Sequence, residues 1–417
     1  MTFALKGNIC HTPDKKIEIY ENSYLIVKDT KVVGIFEDIP QQFKDIEVKD
    51  YGKNLILPGL TDLHVHAPQY TFAGLGMDLE LLDWLNTHTF VEEANYSNLE
   101  YANKAYEIFT NDLKYSATTR ACIFATLHTP ATKVLMDKLE QTGLITFVGK
   151  VNMDRNSPDT LIEETNESIE ETTKWLELID GKYKYTKPIL TPRFIPSCTD
   201  ELMTKLKEIR DKYDLPVQSH LSENPSEIEW VKELCPTSSS YADAYRQFGM
   251  LSGSIMAHCV HSDEDEQQML KEQNVFVAHS PQSNIGLSSG IAPVRQMLDK
   301  DINVGLASDV AGGYSISIFK AMADAIQVSK LRWRLINSDE KALSIAEAFY
   351  LGTKGGGAFF GKVGSFEEDY DADILVIDDA KLNVIREFTV SQRIERLIYM
   401  SEVVDIKSKY VAGRCIF

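Results

Sequence analysis

The sequence predicts an α/β protein, a (β/α)8 TIM barrel with β-rich segments at both chain ends. Three observations carry this expectation. Eight apolar, β-branched runs alternate with helical patterns through the middle of the chain, and eight strand–helix units over about 250 residues are what such a barrel requires. Both chain ends instead carry short alternating runs broken by turn residues. Histidines and an aspartate close several of the central runs, and the carboxyl ends of barrel strands are where active sites are built.

In chain order, residues 1–57 contain IEIY, SYLIVK and KVVGIFE, separated by Glu-Asn and Asp-Thr turns. Period-two alternation with turns between predicts an antiparallel β unit. The eight central runs are 55–66, 118–128, 144–153, 187–196, 215–221, 254–261, 275–281 and 303–309. Helical patterns fill most gaps. In 200–213, Leu202, Leu206 and Ile209 fall at helical spacing, with Thr199 and Asp200 as caps. Segments 264–274 and 293–300 follow the same logic, the latter opening on Pro293, a favoured first-turn residue. Lys354-Gly355-Gly356-Gly357 reads as the loosest spot, and short strands with turns are expected again to the C-terminus, ERLIYM included. The expected division is 1–57 and 366–417 for the β-rich ends and 58–365 for the barrel.

Composition narrows the function. At 417 residues the chain exceeds one ordinary small domain, and 62 acidic against 43 basic residues give a net charge of −19. That balance argues against nucleic acid, whose phosphates need clustered Lys and Arg. No apolar run reaches membrane-span length, and MTFALKGNICHTPDKK lacks the apolar core of a secretory signal. A soluble, cytoplasmic protein is expected. Six cysteines are scattered with no C-x-x-C pair, so neither a disulfide framework nor a zinc knuckle is indicated.

The histidines carry the chemistry. His64 and His66 close the first run, His220 the fifth, His258 the sixth, His279 the seventh, and Asp309 the eighth. On a strand, residues i and i+2 share a face about 6–7 Å apart, so His64 and His66 can ligate one cation; alone, the pair could equally be hydrogen-bonded core residues. With His220 and Asp309 they make a His3Asp set. Nitrogen and carboxylate donors without thiolate suit one zinc ion, with iron(II) the rival. Glu223, three residues after His220, is placed to shuttle protons, or else to cap a helix. Asp309 can serve both as ligand and as base. His258 is placed either to bind the cation or to hydrogen-bond the activated water, and His279 to support the site from behind. His11 and His128 lack comparable context, while His88 lies in a helical segment that could flank the mouth.

The motifs PGLTDLHVHAPQY, HLSEN, AHCVHS, HSPQSN and ASDVAGG resemble the amidohydrolase superfamily, in its mononuclear nucleobase-deaminase branch and nearest to the guanine deaminases. HVHAPQYTFAG, LLDWLNTHTF, TPRFIPSC, SPQSNIGLSSG and SDVAGGYSISIF extend the likeness over nearly the whole chain. The resemblance implies hydrolysis of guanine to xanthine and ammonia in purine catabolism or salvage. It implies a metal held by His64, His66, His220 and Asp309, with Glu223, Asp309 and His258 catalytic. It implies contacts to the purine from His66, Gln69, Arg193, Phe194, His220, Glu223 and Asp309. The chemistry of the last group is reasonable: Arg193 offers a fork of donors, Gln69 a donor and an acceptor, and Phe194 a stacking plane. An ion pair and ordinary packing are the alternative for those three. Lys187 stands only at the start of the fourth run, so no lysine is placed to bridge two metals. The resemblance also implies a homodimer, and a small β-sandwich domain packed from 1–57 and 366–417 beside the barrel. Two other readings stay open: a deaminase of another amino-heterocycle (a pterin, a triazine, an adenosine-type compound), and a catalytically inactive barrel acting as a scaffold.

Overall fold

The computed structural model describes residues 2–382 and 385–417. Met1, Asn383 and Val384, assigned by the sequence to the β-rich ends, lie outside the described residues. The chain opens with strands β1 (Thr2–His11), β2 (Glu18–Lys28), β3 (Lys31–Phe36) and β4 (Glu47–Pro58). The central strands are β5 (Leu60–His66), β6 (Thr118–Phe124), β7 (Ile145–Gly149), β8 (Val151–Asn152), β9 (Thr186–Pro188), β10 (Thr191–Pro192), β11 (Gln218–Leu221), β12 (Ile255–His258), β13 (Phe276–His279) and β14 (Asn303–Leu306). The chain ends with β15 (Ile374–Asp378), β16 (Asp405–Val411) and β17 (Arg414–Cys415).

The fold is α/β with parallel sheets. β5-β6-β7-β9 and β11-β12-β13-β14 form two four-stranded parallel sheets, and β8 pairs with β10. Every residue of β5 and β6 is buried, as expected of parallel strands covered on both faces. A parallel bridge from Leu190 to Val217 joins one sheet to the other. Beyond β14, the Asp309 amide donates to the His64 carbonyl (2.9 Å) and the His66 amide to the Val310 carbonyl (3.2 Å), tying the far edge back to β5.

Each central run contains strand, and the first is divided. Residues 55–58 end β4, which belongs to the terminal sheet, and Gly59 separates them from β5. The terminal strands form one seven-stranded sheet in the order β17-β16-β15-β4-β1-β2-β3. β1 and β4 run parallel there, so the N-terminal unit is not wholly antiparallel. ERLIYM is not strand; it lies in the helix Val390–Met400, capped by Thr389 in a box with Gln392. Its apolar residues Ile394, Leu397 and Ile398 fall at helical spacing and are buried.

The helix Asp200–Tyr213 matches its expected bounds, with the Thr199 side chain accepting from the Leu202 amide. Pro293 sits at the N-cap of Val294–Asp299, just outside the first turn. The glycine stretch 355–357 is packed, not loose. All three glycines are buried, and a Cβ on Gly355 would lie 2.7 Å from the Val304 carbonyl oxygen. Glycine here allows a helix end to approach β14 closely.

Candidate metal centre and active site

The floor of the site is set by strand ends. Alternation along β5 turns His64 and His66 to one side, and Asp62 fixes the strand to the loop after β14. The Asp62 carboxylate accepts from the amides of His64 (3.2 Å) and Ser308 (3.0 Å) and from the Ser308 hydroxyl. Asp309 follows Ser308, and its Oδ1 comes 3.1 Å from His64 Nε2 and 3.6 Å from His66 Nε2. His66 Nε2 lies 3.1 Å from His64 Nε2 and 3.2 Å from His220 Nε2. The ligand atoms of His64, His66 and Asp309 lie within 4.8 Å of one another, and so, as a second group, do those of His64, His220 and His258.

The ring orientations are supplied from behind. His220 Nδ1 donates to the Arg193 carbonyl at 2.7 Å, which leaves its Nε2 lone pair facing the cluster. His258 Nδ1 is 2.9 Å from the Asn284 side-chain oxygen, which turns its Nε2 toward the cluster, 3.4 Å from Glu223 Oε2 and 3.7 Å from Asp309 Oδ2. Phe124 packs against the rings of His64, His66 and His220 at 4.6–5.0 Å between centroids. His258 and Asp309 hold positive φ angles of 74° and 46°. Such backbone is costly for side-chain-bearing residues and persists where its surroundings enforce it, as at functional sites.

The electrostatics suit a cation. Burial drives His66 and His220 well below the ordinary imidazole range and lowers His64, so these rings are neutral and offer lone pairs. Burial opposes charge on Asp309 too, but His64, His258 and His220 outweigh it and pull the carboxyl down to about 2. Converging lone pairs beside a carboxylate repel one another without a positive centre. The residues present therefore fit a divalent metal.

Glu223 stands beside this cluster. Its Oε1 accepts from the Ser289 hydroxyl at 3.0 Å and its Oε2 is 3.4 Å from His258 Nε2. Burial pushes its carboxyl up to about 7. Burial pulls His258 down, yet the carboxylates of Glu223 and Asp309 leave it above the usual imidazole value.

His66, Gln69, Arg193, Phe194, His220, Glu223 and Asp309 all line one cavity, with His258, and Leu81, Trp84 and Leu85 line it as well. His64 lies beneath, fully buried. Arg193 and Gln69 are not free: Arg193 is paired with the buried Glu93, and Gln69 donates to the same carboxylate. The Phe194 ring is edge-on to Trp230 at 6.4 Å. His279 is not among the clustered ligands; it borders a separate small cavity beside Arg295 and Arg332, and burial lowers it to about 3. His88 stacks near Phe72 at 6.4 Å and does not line the cavity above the histidine cluster. His11 pairs with Ser365 at 3.1 Å, far along the chain from the site residues, and His128 precedes the helix Thr129–Thr142.

Sequence reasoning overlooked Asp62, Glu93, Asn284 and Glu227. Glu227 was legible: Asn224-Pro-Ser-Glu227 is a capping-box pattern, and the box forms. Glu227 is also buried against the cavity and accepts from Tyr241 at 2.7 Å. Glu93 gave no such signal, since it sits beside the half-buried Glu92 in the short helix Phe90–Ala94, where the paired acids look alike in sequence.

A family model described as the amidohydrolase family matches residues 55–415. The guanine deaminase of Dictyostelium discoideum is 36% identical over 435 residues, covering 98% of this chain and 96% of the relative. That of Escherichia coli is 33% identical, covering 96% and 92%. A crystal structure of guanine deaminase from C. acetobutylicum with guanine bound in its active site is 44% identical, covers all of both chains and superposes with a TM-score of 0.96. The chain belongs to the amidohydrolase family, in the branch that holds the guanine deaminases.

Proposed function

We propose that the protein hydrolyses guanine to xanthine and ammonia, with one zinc ion held by His64, His66, His220 and Asp309. The observation that carries this reading is the convergence of those four side chains at the floor of a cavity that Glu223, Arg193 and Gln69 also line. Iron(II) fits the same nitrogen and oxygen donors. When bound, the cation supplies Lewis-acid chemistry that lowers the pKa of a water from 15.7 toward about 7.

The chain's own groups do the rest. Asp309 takes the proton of the attacking water, and His258, whose Nε2 lies 3.7 Å from the Asp309 carboxylate, hydrogen-bonds the oxygen that adds to C2. Glu223, whose carboxyl burial holds at about 7, delivers a proton to the ring nitrogen beside C2. As the tetrahedral carbon collapses, the proton held by Asp309 passes to the amino group, which leaves as ammonia, and the hydroxyl proton returns to Glu223 as the carbonyl forms. Leu81, Trp84 and Leu85 offer apolar surface to the faces of the base, and Phe194 borders it. The remaining contacts come from His66 and His220.

The architecture we infer is a closed (β/α)8 barrel over 58–365 with a sandwich from 1–57 and 366–417. The links at Leu190–Val217 and from Asp309 and Val310 back to β5 support closure. Phe3, Leu25, Val376 and Tyr410 share an apolar cluster of their own, which supports the sandwich. A cytoplasmic homodimer acting on a free purine completes the proposal; no helix among the described residues is long and apolar enough to cross a membrane. The test is ammonia release across guanine, a pterin, a triazine and adenosine. Guanine should dominate, with xanthine as product; a panel led by another compound contradicts the assignment.

A further inference from the structure

We infer that Glu93 is a positioning residue that fixes the hydrogen-bond polarity of the cavity wall, making Gln69 and Arg193 a donors-only edge that selects a 6-oxo purine over its 6-amino counterpart. The inference rests on the proposed guanine reading and extends it to substrate discrimination.

Glu93 is buried, at 2% exposure, and holds both residues at once. Its Oε2 accepts from Arg193 Nη1 at 2.6 Å; its Oε1 accepts from Arg193 Nη2 at 3.2 Å and from Gln69 Nε2 at 2.9 Å. A carboxylate has only acceptors to offer, so the Gln69 amide must turn its NH2 group toward it. The Gln69 oxygen faces the other way and accepts from the Ala311 amide at 3.4 Å. What Gln69 has left is its second N–H. Arg193 has no acceptor at all, and two of its N–H bonds are spent on Glu93. The wall they form therefore presents donors, which match the O6 and N7 acceptors of guanine. A 6-amino group would place donor against donor, and a buried polar group without a partner is costly.

The same helical segment couples this wall to the roof. Leu81–Trp84, the π-helical turn Leu85–Thr89 and Phe90–Ala94 run on without a break. Leu81, Trp84 and Leu85 line the cavity at one end, and Glu93 stands at the other. The Arg193 guanidinium lies 5.2 Å from the centre of the Phe90 ring, so Phe90 and Glu93 hold Arg193 from two sides. Turns of π-helix recur at functional sites.

The test compares guanine with 2,6-diaminopurine, which keeps the 2-amino group and replaces O6 by NH2. Wild type should favour guanine in kcat/KM by roughly a hundredfold, the scale set by leaving a buried donor without a partner. Glu93→Gln lets the Gln69 amide turn either way; the ratio should then collapse by about tenfold or more, chiefly through the KM for guanine. Glu93→Asp keeps an acceptor-only group and should hold the ratio within about threefold of wild type, because polarity is retained. A wild-type ratio near one overturns the inference without any variant. So does a Glu93→Gln enzyme in which both substrates weaken equally, since that is the mark of a packing role. Wild type inactive on guanine would instead remove the reading beneath it.

Discussion

Replacing Glu223 by Gln isolates the proton transfer. The amide has nearly the volume of the carboxyl, its oxygen can still accept from Ser289, and its other end can still face Nε2 of His258, which lies 3.4 Å from the carboxylate. The variant should therefore fold and load metal as wild type does, because Glu223 is not among the clustered ligand atoms. What it loses is an exchangeable proton. General acid–base catalysis contributes about 10²–10⁴-fold, or about 2.7–5.4 kcal/mol at 1.36 kcal/mol per decade. The assay is steady-state xanthine formation, read beside metal content and thermal midpoint. The pH profile supplies a second readout. With the carboxyl at about 7, its proton-donating form is present below that pH and is lost as pH rises through it. The kcat/KM of wild type should fall above about pH 7, and this limb should vanish in Glu223→Gln. A fully metallated Glu223→Gln enzyme within tenfold of wild-type turnover would refute the assignment.

Other outcomes follow from the same geometry. His220→Ala and Asp309→Asn should each lose bound metal by elemental analysis along with activity, whereas Arg193→Ala should keep the metal and lower kcat/KM for guanine. Arg120→Met should cost about 3–5 kcal/mol in unfolding, because it strands the buried carboxylate of Asp373, which now accepts from Arg120 at 2.7 and 3.1 Å; an unchanged urea midpoint would contradict this. Gly305→Ala should cost about 1–3 kcal/mol by overpacking, since its Cβ would meet Gly356 Cα at 2.5 Å and Leu63 Cδ1 at 2.6 Å; a gain in stability would show the contact to be slack.

The site was legible because its chemistry sits on strand ends, where a short apolar run followed by His or Asp is visible without any structure. His64, His66, His220 and Asp309 each close such a run, and the chain brings their ligand atoms together. The partners behind them were not legible. Glu93 meets Arg193 across 100 residues of sequence, and Asp62 meets Ser308 across 246, so no local period encodes either contact. Errors of fold had the same origin. Gly355–Gly357 read as loose because glycine favours turns, whereas here it serves close packing. ERLIYM read as strand because short apolar runs do not separate strand from helix, and the Thr389 capping box that decides it lies several residues upstream.

The most direct measurement is a metal titration of the stripped protein. After chelation, guanine turnover should be absent and should return linearly with added zinc, breaking at one equivalent per chain. Turnover that survives metal removal, or a break at two equivalents, would contradict a single cation held by His64, His66, His220 and Asp309.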